Sequence, residues 1–423
     1  MKLKSLLGVS SLLFLSPVSA LSLPEAVNKA LAINPTLKSL ESTVEVGKAQ
    51  LDKSYADYHP KITLQLESGK SNNSDSNWQQ KRKSSVTLNQ VVYDFGRISN
   101  QISARKYKLN SYQQDLDNGR EQLVLLTSNT FLEILKLEEV IGYIKENIAF
   151  YDRFLGILET RNQTGASSKS DVQRLTSLSQ NAQLELIQYQ TDLTFARKTF
   201  KSLTNIEPEN LTIPSLDGLV IKQTPKELVE FATTRSYQIQ SLKKNIEFAK
   251  ENRDKARSDL YPKFNLKIET NRENSLDTNG KWSTTQAAGI TMSYDIWDGF
   301  KARSNVDENN AKVMRANHQL REATLALEKE AEEAYSAMLK LKDEKAVNKE
   351  ALETNREIVD LYYKEFELGE KTLLDITTAQ GDYHNSRVQS AVFRFEYYKS
   401  TLRIRYYLND VINTVRSLAD ESE

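Results

Sequence analysis

The chain contains 423 residues, in which 57 lysines and arginines balance 57 aspartates and glutamates, and it has no cysteine. A chain without cysteine excludes disulfides, thiolate metal sites, cysteine nucleophiles and lipid attached to an N-terminal cysteine. The cations are spread along the chain without a basic patch, which argues against nucleic acid as a partner, and the scarcity of glycine and proline favours long helices.

The start of the chain has the pattern of a secretory signal peptide, which we assign to residues 1–20. Lys2 and Lys4 form a basic start, residues 6–15 are mainly apolar, and Ala20 ends a stretch of small residues typical of a cleavage site. A short N-terminal anchor helix is the alternative. No later stretch approaches the length of apolar residues that a membrane-spanning helix needs, so we expect no such helix after the signal.

Apolar residues at heptad spacing predict long, paired helices. One register contains Leu109, Leu116, Leu123, Leu137, Ile144, Tyr151 and Leu158. This spacing is typical of a coiled-coil face, although an ordinary long helical hairpin would give it too. We predict helices over residues 23–57, 97–162, 170–204, 226–259, 301–366 and 374–408. Each long helix would extend about 100 Å at about 1.5 Å per residue, and the two shorter helices beside it, end to end, match that length.

Between the helices, four segments alternate between apolar and polar residues. After Pro60 the apolar positions are Ile62, Leu64 and Leu66, and after Pro262 the same pattern returns. Alternation over about ten residues suits a tilted strand between lipid and an aqueous lumen, although a half-buried soluble sheet would also produce it. Four strands cannot close a barrel, and an open sheet edge in lipid leaves backbone groups unpaired. If these strands enter a membrane, several chains must share one barrel.

The second half of the chain repeats the first at a spacing of about 200 residues, which predicts two copies of one structural unit. The segment DYHPKITLQLES at 57–68 returns as DLYPKFNLKIET at 259–270. We therefore divide the chain into a signal peptide at 1–20, a first repeat at 21–205, a link at 206–225, a second repeat at 226–409 and a polar C-terminal tail at 410–423. Each repeat is a helix, a hairpin, a long helix, a turn and a helix. The predicted class is α+β, with duplicated long helices and four strands.

Three motifs carry a resemblance that covers essentially the whole chain after the signal. VVYDFGR at 91–97, DIWDGFK at 295–301 and FELGEKTLLDI at 366–376 resemble the TolC family of outer-membrane export channels. The resemblance implies a homotrimer in the outer membrane, with a 12-stranded β-barrel in lipid above a long periplasmic α-barrel. It also implies a periplasmic adaptor and an inner-membrane transporter as partners.

The function implied by the resemblance is a conduit. FELGEKTLLD is most similar to members that serve type I protein secretion, and an outer-membrane component of a drug or small-molecule efflux pump is the alternative. A soluble periplasmic coiled-coil adaptor would explain the helices but leaves the four strands unexplained. No phosphate loop, nucleophile elbow or metal-spaced cluster is visible, so we expect neither an enzyme nor a cofactor.

The resemblance places a periplasmic gate at two turns, which contain Gly165 and Gly369. In the family, polar links and rings of acidic residues close this entrance. Asp375 matches one ring, whereas Thr378 occupies the position of a second ring, so that ring is predicted to be lost.

Four further residues are implied in the gate. Ser170 and Lys371 match a hydroxyl–cation link between neighbouring coils. Asp171 matches the acceptor of another link, but the expected tyrosine partner is Phe366, which has no hydroxyl group to donate. A cap at a helix N-terminus is an alternative or additional role for Asp171 and Asp375, because aspartate is favoured there.

Overall fold

The computed structural model describes residues 21–71, 78–163, 167–214, 219–274 and 281–420. The predicted signal peptide and the tip glycine Gly165 lie outside these ranges. Helices account for most of the described chain: α1 Leu23–Ile33, α2 Pro35–Tyr55, α3 Arg97–Gln163, α4 Lys169–Thr204, α5 Pro225–Arg235, α6 Tyr237–Ser258, α7 Lys301–Glu367, α8 Leu373–Tyr407 and α9 Val411–Asp420. In the ranges that the structure describes, no helix is both long and apolar enough to cross a membrane.

The strands form two hairpins in one antiparallel sheet. Their bounds are β1 Lys61–Ser71, β2 Gln79–Tyr93, β3 Lys263–Asn274 and β4 Trp282–Ser293, in the order β1-β2-β3-β4. The register aligns the apolar positions across the sheet, since Leu64 pairs with Val86 and Leu88 pairs with Ile268. Paired residues of adjacent strands lie on the same face, so one face of the sheet is predominantly apolar. The class predicted from the sequence, α+β with duplicated long helices and four strands, is confirmed.

The short helices that precede each hairpin are interrupted, where we predicted one continuous helix. Asn34 ends α1 and caps α2, because its Oδ1 accepts the backbone N–H groups of Thr36 at 3.0 Å and Leu37 at 3.3 Å. Pro35 adds to the break, since proline disfavours helical geometry in the residue before it. Ser236 separates α5 from α6 in the corresponding place, and its Oγ donates to the carbonyl of Ala232 at 2.6 Å.

Each hairpin is followed by a long helix whose start is capped by an aspartate. The carboxylate of Asp94 accepts three backbone N–H groups at the start of α3, from Gly96 at 3.1 Å, Arg97 at 3.1 Å and Ile98 at 2.9 Å. Asp298 accepts two at the start of α7, from the residues at 301 and 302. Aspartate at this place satisfies N–H groups that have no partner inside the helix. The repeated DFG and DGF motifs are therefore helix starts.

The helices pack side by side, and their contacts define an order. In the part near the sheet, α3 lies between α2 and α6, and α6 packs on α7. In the part away from the sheet, α3 lies between α4 and α8, and α8 packs on α7. The predicted heptad register of α3 is buried throughout, including Leu109, Ile144 and Leu158. The two edges of this helical layer are thus α2 with α4 on one side and α7 on the other.

The end of the chain differs from the polar tail that we expected. Residues 411–420 form α9, in which Val411, Val415 and Leu418 are buried against a core that includes Phe131 and Leu402. The tail contains few apolar residues, but their spacing of three to four places them on one helical face. That short amphipathic pattern was the signal that we missed.

Candidate gate at the helical turns

The turn between α7 and α8 is built around Gly369. Its φ of +82° lies in the left-handed region, where residues other than glycine are strained, and the turn closes with the N–H of Glu370 donating to the carbonyl of Glu365 at 2.9 Å. The other predicted turn, between α3 and α4, contains Gly165, which lies outside the described residues.

Both predicted gate aspartates belong to capping boxes at the N-termini of helices. Asp375 and the N-cap Thr372 form a reciprocal pair at the start of α8: the Thr372 hydroxyl donates to Asp375 Oδ2 at 2.7 Å, and the Asp375 N–H donates to Thr372 Oγ1 at 3.3 Å. Asp171 and Ser168 form the same arrangement at the start of α4, with 2.7 Å between the Ser168 Oγ and Asp171 Oδ2. The capping role that we considered beside the gate role is therefore present at both positions.

Capping does not remove the negative charge of Asp375. The side-chain hydrogen bond from Thr372, followed by the backbone hydrogen bond from the same residue and the charge of Lys371, holds the pKa of Asp375 below its usual value. The carboxyl group is therefore ionised at neutral pH. A charge at this position is available to act on ions near the turn.

Ser170 and Lys371 are not joined to each other within the described chain. The Ser170 hydroxyl is 2.7 Å from that of Ser168, and Lys371 Nζ is 3.9 Å from Glu365 Oε2 and 4.3 Å from the ring centre of Tyr362. Lys371, which lies in the turn between α7 and α8, thus has an anion and an aromatic ring of α7 as neighbours.

Phe366 lies in a buried cluster at the turns. Its ring centre is 5.6 Å from that of Phe154, and the guanidinium of Arg161 is 5.1 Å from the Phe366 ring centre. These contacts fasten the end of α7 to the end of α3. A cation–π contact and aromatic packing therefore connect the two long helices where the resemblance would have a tyrosine hydrogen bond.

Thr378 is exposed, and its hydroxyl donates to the carbonyl of Leu374 at 2.7 Å, within its own helix. It carries no charge with which to form a second acidic ring.

Sequence reasoning missed two polar contacts, one at the turn before α8 and one farther along α8. Tyr362 lies beneath Lys371, and the sequence signal was a tyrosine pair at 362–363, one helical turn before Phe366. Deeper in the protein, the Gln380 amide donates to Asn147 Oδ1 at 3.0 Å, and both side chains are buried. No sequence feature pairs residues so far apart, so this contact had no signal.

Comparisons with known proteins agree on one class of protein. The model of the family described as outer membrane efflux protein matches residues 26–205 and 228–410. The chain is 19% identical to outer membrane efflux protein BepC of Brucella suis biovar 1, over 85% of this chain and 79% of that protein. It is 22% identical to outer membrane protein TolC of Salmonella enteritidis, over 96% and 87%. It is also 22% identical to toxin and drug export protein A of Aggregatibacter actinomycetemcomitans, over 69% and 65%.

A solved structure matches as well. The Campylobacter jejuni CmeC outer membrane channel superposes with a TM-score of 0.80 at 17% identity, covering 95% of this chain and 89% of that one. At this identity, the likeness establishes the fold.

Proposed function

We propose that this chain, which belongs to the outer membrane efflux protein family and is a TolC-family channel, carries substrate outward from an inner-membrane transporter and a periplasmic adaptor. It lies in the bacterial outer membrane and extends into the periplasm. The family and the fold are those of channel proteins, and we propose a conduit in preference to an enzyme.

The observation that carries this proposal is the unfinished four-stranded sheet. Its outer strands β1 and β4 each have one edge without a partner among the described residues, and its apolar face is open, with Leu66 73% and Ile290 67% exposed. Unpaired edges and an apolar face are unfavourable in water, and unpaired edges are unfavourable in lipid. Closure with other copies removes the edges, and lipid then covers the apolar face. Three chains supply twelve strands, an even number typical of such barrels.

The edges of the helical layer support a homotrimer in the same way. The α4 edge exposes 73% of Phe195, and the α7 edge exposes 69% of Val347. Large apolar side chains of this kind are typical of surfaces that another subunit covers. We propose that α7 of one chain packs against α2 and α4 of the next, which would extend the helical layer into an α-barrel.

The turns are the proposed entrance and the proposed contact with the adaptor. Leu368, beside Gly369, is 75% exposed at the end that lies farthest from the sheet, and Asp375 follows on the next helix. Copies of Asp375 around a trimer axis would form an acidic ring that attracts cations into a narrow mouth.

The remaining gate residues are proposed to connect helices. Ser170, Asp171 and Lys371 are proposed to contact neighbouring coils, and the Phe366 cluster would hold each pair of long helices together.

Type I protein secretion is the finer function that we propose, and small-molecule efflux is the second candidate. The FELGEKTLLD motif favours secretion, and one relative is named for toxin as well as drug export, whereas another is named for efflux. The pore itself has no visible chemistry for one cargo, so the transporter would select it.

Two experiments test this proposal. Native mass spectrometry of the detergent-purified protein should give a trimer, and a stable monomer would contradict the shared barrel.

For the finer function, the chain is expressed in a bacterium that lacks its own outer-membrane channel, together with either a type I transporter and adaptor or a drug-efflux pair. Restored release of the secreted protein, without restored drug resistance, supports secretion; the reverse result supports efflux.

A further inference from the structure

A cavity of about 530 Å³ lies between α6 and α7, with the end of one side chain of α3 at its wall. Three of the residues around it are cationic, namely Lys108, Lys312 and Arg315, and no carboxylate lines it in the described part of the chain. Because acidic and basic residues are equal in number over the whole chain, a cavity with cations alone is a local departure from the average.

Lys108 is the most enclosed of the three cations. Its Nζ donates to the Asn245 carboxamide oxygen at 2.9 Å and lies 4.6 Å and 5.7 Å from the ring centres of Tyr112 and Phe248. All three partners are neutral. Burial lowers the pKa of Lys108, while the charge of Asp115 raises it. The ammonium group therefore has N–H groups available in a partly dry place without an anion bound to it, which favours an incoming anion.

The α7 wall supplies the other two charges. Lys312 and Arg315 are exposed and lie about one helical turn apart, so both side chains can reach the same cavity. Lys312 has an ion-pair partner, Glu308, at 2.6 Å, whereas Arg315 has none among the residues that the structure describes. The pair with Glu308 joins two exposed side chains and is therefore weak in water, so an anion with more than one charge can compete with it.

We propose that this cavity binds a soluble oxyanion of the phosphate class, held by Lys108, Lys312 and Arg315. Guanidinium and ammonium groups from separate helices suit an anion with several oxygen atoms, since each oxygen can accept a charge-assisted hydrogen bond. The bound anion would connect α3 to α7 and offset the mutual repulsion of the three cations.

The position of the cavity favours a free anion over a lipid headgroup. Lys108 lies eleven residues into α3, which begins at Arg97 just after the sheet. At about 1.5 Å per residue, this is roughly 17 Å along the helix from the proposed membrane surface. A phosphate anchored by acyl chains in the bilayer does not extend that far, whereas a dissolved anion in the periplasm has access.

The test uses the full chain, purified in detergent, and titration calorimetry with pyrophosphate in a chloride buffer of fixed ionic strength. We expect saturable binding of one anion per chain. Lys312→Gln with Arg315→Gln should weaken binding at least tenfold, because two charged hydrogen-bond donors are lost. Lys329→Gln is the matched control, since Lys329 is exposed on the same helix outside the cavity and should bind as the unchanged chain does.

Two more measurements close the remaining possibilities. Lys108→Met keeps an unbranched side chain that is one atom shorter and removes its charge, and it should also weaken binding. Vesicles of phosphatidylglycerol, added without free phosphate, should not compete with pyrophosphate; competition would assign the site to lipid. The proposal is wrong if the unchanged chain binds no pyrophosphate, or if the double variant binds it as tightly as the Lys329→Gln control. The double variant and the Lys329→Gln control change exposed side chains only, and circular dichroism verifies that all three variants fold.

Discussion

The carboxylate of Glu121 accepts the backbone N–H of Val411 at 2.9 Å and that of Ile412 at 3.3 Å, and so joins the middle of α3 to the start of the C-terminal helix α9. Glu121 is 3% exposed. Burial is the largest cause that raises its pKa, the two backbone N–H groups lower it, and the charges of Asp410 and Asp117 raise it, with a net pKa of about 7. The helix α9 therefore depends on a carboxyl group that titrates near neutral pH.

This relationship predicts a pH-dependent stability. A carboxyl group whose pKa is raised on folding contributes stability that is fully present below its unfolded pKa of about 4.5 and is lost as the pH rises towards 7. Substitution Glu121→Gln keeps a carbonyl acceptor for Val411 and removes the titration. Thermal unfolding scans from pH 5 to pH 8.5 measure this effect. As the pH rises, the free energy of unfolding of the variant should increase by about 2–3 kcal/mol relative to that of the unchanged chain.

The difference between the two proteins isolates Glu121, because all other titrating groups are shared. If the two stability curves run parallel over this range, the carboxyl group is already ionised in the folded protein and the assigned titration is wrong.

The Asp375 charge should control ion selectivity. Replacement Asp375→Asn keeps an oxygen that accepts the Thr372 hydroxyl, but it removes the charge from the proposed acidic ring. Single-channel recordings should show reduced cation preference and weaker block by multivalent cations, with a large effect because Thr378 adds no second ring.

The matched comparison is Asp171→Asn, which changes the equivalent capping box at the start of α4 but removes no charge from the proposed acidic ring. It should leave cation preference nearly as it was. Unchanged selectivity and unchanged cation block in Asp375→Asn would leave Asp375 with a capping role alone.

The left-handed backbone at Gly369 makes its substitution costly. Gly369→Ala should destabilise the protein by about 1–2 kcal/mol, because an added Cβ is strained at a φ of +82° even though no atom lies within 4 Å of it. Gly142→Ala is the control: Gly142 lies inside α3, also in open space, and alanine there should stabilise by about 0.5–1 kcal/mol. Denaturant unfolding in detergent measures both, and equal shifts would refute the account of the turn.

The aromatic cluster at the turns should hold the two long helices together. Truncation Phe366→Ala removes the ring that packs on Phe154 and accepts the Arg161 cation. We expect the free energy of unfolding to fall by about 3–4 kcal/mol and hydrogen exchange to become faster at the ends of α3 and α7. Phe366→Leu, which refills much of the space without an aromatic face, should lose less; exchange that is unchanged at these ends in both variants would contradict the role of the cluster.

Much of the fold follows from local patterns in the sequence. The heptad register through Leu109 and Leu158 gives α3 its buried face, and the alternation around Leu64 gives β1 its two faces, because each pattern depends only on the geometry of its own element. The capping aspartates and Gly369 were also visible, since a cap acts within a few residues along the chain. The resemblance to the TolC family, carried by such motifs, is confirmed by the family match.

Only the tertiary structure decided contacts between residues far apart in the chain. Glu121 and Val411 are separated by 290 residues, and the cations Lys108 and Arg315 come from different halves of the protein. In the sequence, Phe366 occupies a position where the resemblance predicts a tyrosine. In the structure it is a core residue, because the ends of α3 and α7 meet at the turns. Periodicity determines which face of a helix is apolar; the neighbour that covers that face depends on how the helices are ordered and rotated, which no local pattern contains.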